Sequence, residues 1–529
     1  MSTNKQNPTS VRCRTRPFML IIRDGWGWNS HSDLQQYDAT RQANTPVDDR
    51  LRAEYSHCLI GTSGEDVGLP SGTMGNSEVG HQNIGAGRIV FQESMRLTRS
   101  IRDGDFFDNE VLKKAIAFCN QNHSKLHLLG LVSDAGVHSL LEHLYGLLEL
   151  ARRNGLERVF LHAFTDGRDT PPDSGKGFLS QVEEKMQEIG VGKIASVMGR
   201  FWGMDRDQRW DRVEKAYQCL RYGKGHKAAS ASEAIQSSYD NEVTDEFVEP
   251  TLIVDGAAQA LALVEDGDAV VFFNYRGDRP REITRVFVDP NFNAFDRGSM
   301  PRLNYVCMTE YDATIPAPVA FPKLPKMKNI VGDYWSDLGL KQFRCAETEK
   351  YAHITFFFND YTEAPYPGED RQIVPSPKVK TYDLKPEMSA VEVTDTVLAR
   401  LDSNNYDVII VNFANPDMVG HTGIMEAGIK AAETVDTCVG RLLEKIKQIN
   451  GSAIITADHG NLELMFNRDN NGPFTAHTTY PVPFIVFDEK FKGCRLRDNG
   501  RLADVIPTAL HLMGLAKPVE MTGESLIVE

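Results

Sequence analysis

Acidic and histidine side chains follow three apolar runs of this sequence, at the points where predicted strands end. FMLIIR leads into an aspartate, VIIVNFAN into an aspartate and a histidine, and SAIITA into an Asp-His pair. Because ligands of open α/β sheets bind beyond the carboxyl ends of strands, these side chains are expected to meet. They are Asp24, Asp417, His421, Asp458, His459 and, in the separate segment AHTTYP, His477.

This set of residue types favours a metal site. Carboxylate oxygen combined with neutral imidazole suits Zn, Mn, Fe or Co ions. Asp417 and His421 are four residues apart, which would place both side chains on one face of a helix. Any one of these residues alone is more often a helix cap, a turn aspartate or a hydrogen-bonded core histidine. With Ser77 added, the set is large enough for two ions, which can clamp the attacking and leaving oxygens of a phosphoryl displacement.

Ser77 is the candidate nucleophile, and it lies in the glycine-rich segment SGTMGNSEVGH. Glycines here allow a tight turn that exposes the hydroxyl. The sequence has no GxSxG elbow and no Walker A lysine motif, so activation by a metal fits better than activation by a hydrolase triad. The alternative is a serine that caps a helix N-terminus, and spacing alone favours that alternative.

Arginines occupy the corresponding positions in the middle of the chain. HLLGLVSDAG, VFLHAFTDG, KIASVMG and AVVFFNY each lead into a histidine or into arginines. Guanidinium groups bind phosphate or carboxylate through a bidentate fork, so the pattern predicts an anion pocket. The residues are His138, Arg168, Asp169, Arg200, Arg206, Arg276 and Arg279.

Short apolar runs alternate with helical patterns along the whole chain, which predicts an α/β architecture with largely parallel sheets. Strands are predicted at 18–22, 127–132, 159–164, 269–274, 408–413, 453–456 and 483–487. Helices are predicted at 140–153, 389–402 and 426–448.

The distribution of these residues predicts two domains, one inserted into the other. Acids and histidines flank the chain and arginines fill its middle, so a discontinuous metal-binding domain is expected at 1–88 and 325–529. The inserted substrate-binding domain is expected at 92–316. Linkers are predicted near 86–95 and 315–328, the second because its proline and lysine content suggests a stiff, exposed connection.

Composition argues against several classes of protein. The chain has 529 residues and a net charge of −15, which disfavours binding to nucleic acid. No apolar run approaches the roughly 20 residues that a membrane span needs. Eight cysteines form no CxxC pair, which fits a reducing, cytoplasmic setting. The polar N-terminal segment, which contains Arg12, Arg14 and Arg16, is expected to be a short disordered tail, with a transit peptide as the alternative.

At residues 69–90, LPSGTMGNSEVGHQNIGAGRIV closely resembles the nucleophile region of the cofactor-independent phosphoglycerate mutases, a family of the alkaline phosphatase superfamily. The resemblance runs in one order from about Asp24 to Gly523. It continues through SDAGVHS, HAFTDGRDTPP, VMGRFWGMDRDQRW, ETEKYAHITFFFN, VNFANPDMVGHTG, TADHGNLE and AHTTYPVPF. The resemblance implies an alkaline-phosphatase-like α/β domain with an inserted second α/β domain.

The resemblance also implies an activity. It indicates a monomeric, cytoplasmic enzyme of glycolysis that interconverts 3-phosphoglycerate and 2-phosphoglycerate through a phosphoserine, without free 2,3-bisphosphoglycerate. Two divalent ions are implied, with Mn²⁺ favoured and Co²⁺ or Mg²⁺ as alternatives. One ion is assigned to Asp24, Ser77, Asp458 and His459, and the other to Asp417, His421 and His477. Glycerate or its carboxylate is assigned to His138, Arg168, Asp169, Arg200 and Arg206, and phosphate to Arg276, Arg279 and Lys350.

Two other hypotheses stay open on the sequence. The first is a related metal-dependent phosphatase or sugar-phosphate mutase of the same superfamily, for which steady phosphate release would be the mark of the phosphatase. The second is a binding or scaffold protein without activity, which the complete set of candidate site residues disfavours.

Overall fold

Two eight-stranded sheets organise the residues described by the computed structural model, which are 17–468 and 471–528. The chain divides into two units, one formed by residues up to 92 and from 326 onward, and the other by residues 93–325. The first unit is therefore discontinuous and the second is continuous. Strands and helices are numbered below along the whole chain.

The first unit is built on a mixed sheet with a parallel centre. Its strand order is β12-β11-β13-β1-β14-β17-β2-β19, and the five strands from β12 to β14 run parallel. The strands are β1 (Phe18–Arg23), β2 (Ser56–Gly61), β11 (Gln342–Glu347), β12 (Glu369–Val374), β13 (Val408–Phe413), β14 (Ser452–Thr456), β17 (Val482–Phe487) and β19 (Gly500–Arg501).

Helices and two short ribbons complete the first unit. The helices are α1 (Ala39–Gln42), α2 (Pro46–Glu54), α3 (Ser77–Ala86), α12 (Val331–Asp337), α13 (Thr348–Ala352), α14 (Ala390–Asp402), α15 (Asn415–Gly420), α16 (Met425–Gln448) and α17 (Val505–Met513). A π-helix, His353–Phe357, continues α13. The ribbons pair β15 (Phe466–Asn467) with β16 (Gly472–Pro473) and β18 (Arg495–Leu496) with β20 (Ile527–Val528).

The second unit has its own sheet, in the order β10-β9-β8-β3-β4-β5-β7-β6. Its strands are β3 (Leu126–Leu131), β4 (Val159–Thr165), β5 (Lys193–Gly199), β6 (His226–Ala228), β7 (Thr251–Ile253), β8 (Ala269–Phe272), β9 (Asn304–Thr309) and β10 (Val319–Phe321). Its helices are α4 (Glu93–Asp103), α5 (Glu110–Asn122), α6 (Leu141–Arg153), α7 (Gly175–Ile189), α8 (Arg200–Gly203), α9 (Trp210–Tyr222), α10 (Ala231–Asp240) and α11 (Arg281–Val288).

Continuous apolar runs form the central strands because both faces of each sheet are covered. Every residue of β1, β13 and β14 is buried. In the second unit, alternate residues of β3 enter different core clusters, with Leu126 and Leu128 in one and Leu129 and Leu131 in the other. Successive strand side chains point to opposite faces, so these clusters mark the two sides of that sheet. Each predicted strand and helix is confirmed, and no end is shifted by more than two residues.

Both predicted linker segments contain more regular structure than the sequence indicated. The segment 315–328 contains β10, which pairs with β9 and buries Ala320 and Phe321. Flanking prolines and lysines concealed this short apolar strand. The segment 86–95 likewise includes the first turn of α4, where Met95 is buried. The predicted N-terminal tail lies outside the described residues. Within those residues, no helix combines the length and the apolar character that crossing a membrane requires.

A buried polar chain crosses the sheet of the second unit. His127 Nε2 lies 3.1 Å from Asp268 Oδ2, His127 Nδ1 lies 2.9 Å from His162 Nε2, and His162 Nδ1 lies 2.8 Å from the Ser196 hydroxyl. Both histidines are fully buried. Burial holds the pKa of His162 well below its ordinary value, with further lowering by His127, and burial also lowers the pKa of His127. Both rings are therefore neutral in the folded protein at neutral pH.

We expect this chain to make the second unit sensitive to acid. Because the folded-state pKa of His162 is depressed, the unfolded chain binds the proton first, and stability is lost as the pH falls below about 6.5. The loss is at most about 1.4 kcal/mol per pH unit for one histidine. His162→Gln, which can still donate to His127 but does not titrate, should show a flatter dependence in urea unfolding between about pH 7 and pH 5.

The exposed His226 supplies a matched control, because His226→Gln removes a histidine from the same unit without changing the buried chain. This variant should retain the wild-type pH dependence. Equal slopes for His162→Gln and the wild type would contradict the assignment.

Candidate metal centre and anion-binding cluster

The carboxyl ends of four adjacent parallel strands deliver charged side chains to one edge of the first sheet. In the order β11-β13-β1-β14, the strands lead into Lys350, Asp417, Asp24 and Asp458. All four residues are buried. Parallel strands end at the same edge, so the sheet alone brings together residues that are far apart in the sequence. The structure thus brings Asp24, Asp417 and Asp458 together at one edge of the sheet.

Ser77 is the first residue of α3, and it is not the helix cap. The cap is Asn76, whose side chain accepts a hydrogen bond from the Val79 amide at 2.9 Å. The alternative interpretation of Ser77 as an N-cap is therefore wrong, because the preceding asparagine already satisfies that amide. With this requirement met by Asn76, the Ser77 hydroxyl is free to point into the charged cluster.

The Ser77 hydroxyl is surrounded by groups that can stabilise negative charge or accept a proton. Its Oγ lies 2.9 Å from His459 Nε2, and Lys350 Nζ donates to it at 2.7 Å. Asp24 Oδ1 lies 3.4 Å from the same atom. Ser77 itself is only 6% exposed, so bulk water has little access to its hydroxyl.

One candidate ligand group comprises Asp24, Asp458 and His459, next to Ser77. Ligand atoms of these three residues lie within 4.8 Å of one another. Both carboxylate oxygens of Asp458 are buried without a hydrogen-bond partner among the described residues, although Oδ2 lies 3.1 Å from His81 Nδ1. A buried carboxylate oxygen without a donor is costly unless a cation binds it. The donor set therefore fits a divalent ion.

A second candidate ligand group surrounds Asp417. His477 Nε2 lies 3.0 Å and His421 Nε2 lies 3.1 Å from Asp417 Oδ1, and the two imidazole nitrogens are 3.2 Å apart. Ligand atoms of Asp417, His459 and His477 also lie within 4.8 Å of one another. The other ring nitrogens of His421 and His477 contact the backbone carbonyls of Thr475 and Gly75 at 2.7 Å and 2.8 Å. Such contacts orient each ring with Nε2 toward the carboxylate.

Lys350 balances part of the charge on these acids. Its Nζ donates to Asp417 Oδ2 at 2.5 Å and to Asp24 Oδ1 at 2.9 Å. Burial opposes the charged form of Lys350, but Asp24 and Asp417 outweigh it and raise the pKa of the ammonium. Burial would raise the pKa of Asp417, yet Lys350 and the two histidines hold it well below its ordinary value. Burial, reinforced by Asp458, raises the pKa of Asp24.

Several residues of the centre carried no recognisable signal in the sequence. Asn412 Nδ2 lies 2.9 Å from Asp24 Oδ2 and 3.0 Å from His81 Nε2, while His81 Nδ1 lies 2.8 Å from the Ser77 carbonyl. Asn461 donates to Asp417 at 3.2 Å. Asn412 is inside β13, and His81 lies one turn after Ser77 on α3. Only their positions beside residues already selected could have suggested them.

Glu463 links three loops of the candidate metal centre through hydrogen bonds to its carboxylate. Its carboxylate accepts hydrogen bonds from the amides of Gly27 at 3.1 Å and Asn461 at 2.8 Å, and from the Thr478 hydroxyl. These donors follow Asp24, His459 and His477 in the sequence. Burial raises the pKa of Glu463 to about 7, and Thr478 partly opposes that shift. A Cβ atom on Gly27 would overlap this carboxylate, so the close approach requires glycine.

In the second unit, Arg200 is the centre of the predicted anion cluster. It is 2% exposed, and its guanidinium donates to Asp166 Oδ1 and Asp169 Oδ2, both at 2.6 Å, and to His138 Nε2 at 2.9 Å. Asp166 also accepts from the amides of Arg168 and Asp169 at 3.2 Å and 3.0 Å. Burial, together with Arg200, lowers the pKa of His138 to about 4, which keeps its imidazole neutral.

The other arginines are more exposed. Arg206 and Arg276 both pair with Asp278, at 2.9 Å and 3.1 Å, and Asp278 Oδ1 lies 3.7 Å from His138 Nδ1. Arg168 pairs with Glu246. The structure therefore brings together most of the predicted cluster, and it adds three acids that the sequence did not single out: Asp166, Asp278 and Glu246.

Two predicted anion-binding residues are placed differently. Arg279 donates to the carbonyl of Met204 at 3.0 Å, beside the loop that carries Arg206. Lys350 belongs to the first unit and lies among the candidate metal ligands, where it contacts Ser77. Its contacts there suit it to support charge at the serine.

The parallel central strands and the serine beside two acid-histidine groups agree with the alkaline phosphatase superfamily, to which the comparisons assign the first unit. A profile described as type I phosphodiesterase / nucleotide pyrophosphatase matches residues 294–474, and one described as BPG-independent PGAM N-terminus matches residues 97–313. The superfamily and the fold class predicted from the sequence are confirmed.

Comparison with similar proteins identifies the family within this superfamily. A 2,3-bisphosphoglycerate-independent phosphoglycerate mutase of Moorella thermoacetica is 54% identical over 516 residues, covering 97% of this chain and 99% of that protein. Its counterpart from Clostridium perfringens is 52% identical over 512 residues, with 97% and 99% coverage. A crystal structure of Leishmania mexicana phosphoglycerate mutase at low cobalt concentration is 35% identical, covers 98% of this chain and 99% of that one, and has a TM-score of 0.57. The chain belongs to the family of 2,3-bisphosphoglycerate-independent phosphoglycerate mutases.

The packing around Glu463 gives a test of the site's construction. Gly27→Ala should destabilise the first unit by about 1–3 kcal/mol, because the added methyl group overpacks against the buried carboxylate. The measurement is the free energy of unfolding in urea. In a Glu463→Ala background the same change should cost much less, since the overlapping group is gone. An equal cost in both backgrounds would show that the strain has another source.

Proposed function

We propose that this chain interconverts 3-phosphoglycerate and 2-phosphoglycerate by intramolecular phosphoryl transfer through Ser77, without added 2,3-bisphosphoglycerate. The observation that carries the proposal is the contact of the Ser77 hydroxyl with His459 and Lys350 inside a buried cluster of acids and histidines. Membership of the mutase family supports the choice of substrate.

In the proposed reaction, Ser77 Oγ gives up its proton and attacks phosphorus, the bond from phosphorus to the glycerate oxygen breaks, and that oxygen takes a proton to become a hydroxyl. The other glycerate hydroxyl then attacks the phosphoserine and gives up a proton, which restores the serine. Lys350 donates a hydrogen bond to Oγ, so its ammonium can stabilise the charge that develops on the serine oxygen and the phosphoryl group.

We propose that two divalent ions are held here, one by Asp24, Ser77, Asp458 and His459 and the other by Asp417, His421 and His477. Bound ions would lower the pKa of the serine hydroxyl and neutralise phosphate charge. Mn²⁺ is our preferred ion, because carboxylate and imidazole ligands suit it, with Co²⁺ or Mg²⁺ as alternatives. The Leishmania mexicana structure at low cobalt concentration supports including Co²⁺.

We assign the substrate's carboxylate and hydroxyl groups to the cluster around Arg200. Its neutral His138, and arginines whose present partners are carboxylates, suit a small anion that can replace those carboxylates. In this assignment, 92–316 is the substrate-binding domain, and 1–88 with 325–529 is the metal-binding domain. His138, Arg168, Asp169, Arg200 and Arg206 would hold glycerate, and Arg276 and Arg279 would hold phosphate.

Exclusion of water separates a mutase from a phosphatase. A phosphoserine exposed to water would be hydrolysed, and the chain would then release phosphate. The near-complete burial of Ser77, Asp24 and His459 favours the mutase. We further propose a monomeric, cytoplasmic enzyme, and the seven free cysteines among the described residues are consistent with a reducing compartment.

Metal removal and return should test the reaction directly. Protein treated with a chelator should lose activity, and Mn²⁺ should restore conversion of 3-phosphoglycerate to 2-phosphoglycerate with no bisphosphoglycerate present. Phosphorus NMR can follow the two phosphoglycerates and any released phosphate. The assay is repeated with Mn²⁺, Co²⁺, Mg²⁺ and Zn²⁺ in turn. Strict dependence on added 2,3-bisphosphoglycerate would refute the proposal, and phosphate as the main product would favour the phosphatase.

The role of Ser77 can be tested by removing its oxygen. Ser77→Ala should abolish turnover, a loss of at least about 10³-fold, while leaving the thermal unfolding midpoint within a few degrees of the wild type. Ser71→Ala, an exposed serine in the same glycine-rich segment, is the matched control and should stay active. Mass spectrometry of acid-quenched enzyme should find phosphate on Ser77. Normal turnover by Ser77→Ala would remove the serine from the mechanism.

A further inference from the structure

The loop between α8 and α9 presents Arg206 and is held by two buried acids. Arg206 itself is about half exposed and reaches Asp278 at 2.9 Å. Asp205, the preceding residue, is 4% exposed, and Glu282, in the first turn of α11, is 7% exposed. Neither acid was singled out in the sequence, and neither belongs to the site assigned above.

Asp205 organises the loop from within. Its Oδ1 accepts hydrogen bonds from the amides of Asp207 at 2.9 Å and Arg209 at 3.0 Å. Its Oδ2 pairs with Arg212 of α9 at 3.2 Å. Although burial opposes ionisation, these donors lower the pKa of Asp205, so it is a carboxylate at neutral pH.

Glu282 holds the same loop from α11. Its Oε1 accepts from the Gln208 amide at 2.9 Å. Gln208 has a φ of +59°, a left-handed conformation that costs a non-glycine residue energy and needs support. The second oxygen of Glu282, Oε2, is buried and receives no hydrogen bond from any donor the structure describes. The two carboxyl groups bind amides of three successive loop residues, Asp205 those of Asp207 and Arg209 and Glu282 that of Gln208, so they lie side by side and each charge acts on the other.

Two carboxylates side by side in a buried site cannot both be charged without a large repulsion. A proton on one of them converts that repulsion into a hydrogen bond. Asp205 already accepts three hydrogen bonds or ion pairs, so the proton belongs on Glu282, whose second oxygen has no donor.

We propose that Glu282 and Asp205 share one proton, and that this shared proton positions Arg206 for binding the anionic substrate. The inference rests on the proposed function and adds Glu282 as a positioning residue that touches no substrate. The partner recognised is a small anion, and the proton controls how firmly the Arg206 loop is held for it.

The surroundings place this proton in a useful pH range. Burial, followed by the charge of Asp205, raises the pKa of Glu282 to about 7. The charged groups that face the pair are Asp207 in the loop, which disfavours a second negative charge, and Arg212 of α9, which stabilises Asp205. Arg279 contacts the start of the loop through the Met204 carbonyl. Above about pH 7, loss of the proton should loosen the loop and weaken the hold on Arg206.

The test compares the full-length, metal-loaded enzyme with three variants: Glu282→Gln, Glu282→Ala and Glu183→Gln. The Gln side chain keeps a donor to Asp205 at every pH. Glu183, on α7, is a control because burial also raises its pKa but it lies outside the loop and α11. KM and kcat for 3-phosphoglycerate are measured from about pH 6 to pH 8.5, and variants are compared with the wild type at each pH so that shared titrations cancel.

We expect the KM ratio of wild type to Glu282→Gln to rise by about three- to tenfold between about pH 6.5 and pH 8, with kcat nearly unchanged. Glu282→Ala should have a raised KM throughout, and Glu183→Gln should follow the wild type. A Glu282→Gln profile parallel to the wild type at every pH would overturn the positioning role.

Urea unfolding supplies a readout that does not need activity. Glu282 has a raised folded-state pKa, so its contribution to stability is present below about pH 4.5 and is lost as the pH rises to about 7. The unfolding midpoint of the wild type should fall relative to Glu282→Gln across that window. If it does not, the proton is not shared. If the wild type has no mutase activity, the proposed function fails, and the unfolding comparison still decides whether the pair shares a proton.

Discussion

Three buried carboxylates gathered at the edge of one sheet impose the main constraint on the first unit. Asp24, Asp417 and Asp458 are almost fully buried, and bringing three negative charges together out of water is costly. The observed compensation consists of one buried ammonium, from Lys350, and nearby imidazoles. The geometry is thus set for additional positive charge. A stable fold alone would not need such a concentration of acids, so the arrangement is explained by the ligand chemistry it permits.

The second unit buries a positive charge, and this charge is likewise compensated by groups of opposite sign. Arg200 is buried and positively charged, and Asp166 and Asp169 compensate it. The remaining arginines pair with acids at a more exposed position. Because those pairs are partly exposed, exchanging a protein carboxylate for another anion costs little, since both states keep the guanidinium paired. In a preorganised cluster of this kind, the guanidinium groups stay paired until the anion binds, so no unpaired buried charge has to form first.

Much of the fold and part of the site could be predicted from the sequence. Strands such as β1, β13 and β14 are mostly apolar because they are buried on both faces, and the charged residues after them are therefore conspicuous. By contrast, β11 reads QFRCAE, and its buried Arg344 is compensated by Glu369 on the neighbouring strand. Periodicity could not identify such a strand, so Lys350, which follows it, was reached only through the family resemblance.

Residues that act through contacts made by the folded chain were missed for a different reason. Glu463, Asp278 and Glu282 are ordinary acids in sequence, and only their contacts with donors from distant segments distinguish them. Ser77 illustrates the reverse case. Its sequence context favoured a helix cap, and the competing residue was its own neighbour, Asn76. The hydrogen bond from the Val79 amide to the Asn76 side chain leaves the neighbouring Ser77 hydroxyl available for chemistry.

The strand order of the first sheet also constrains how the chain can be made. β1 emerges early in synthesis, yet both of its hydrogen-bonded neighbours, β13 and β14, are encoded after the entire second unit. The second sheet is contiguous in sequence and can assemble while the ribosome is still translating. Asp24 and Ser77 must therefore wait for the C-terminal third of the protein before their partners exist. A chain interrupted before that point would hold the proposed nucleophile without its acids and histidines, so an incomplete translation product would lack the groups proposed to act on a phosphate ester.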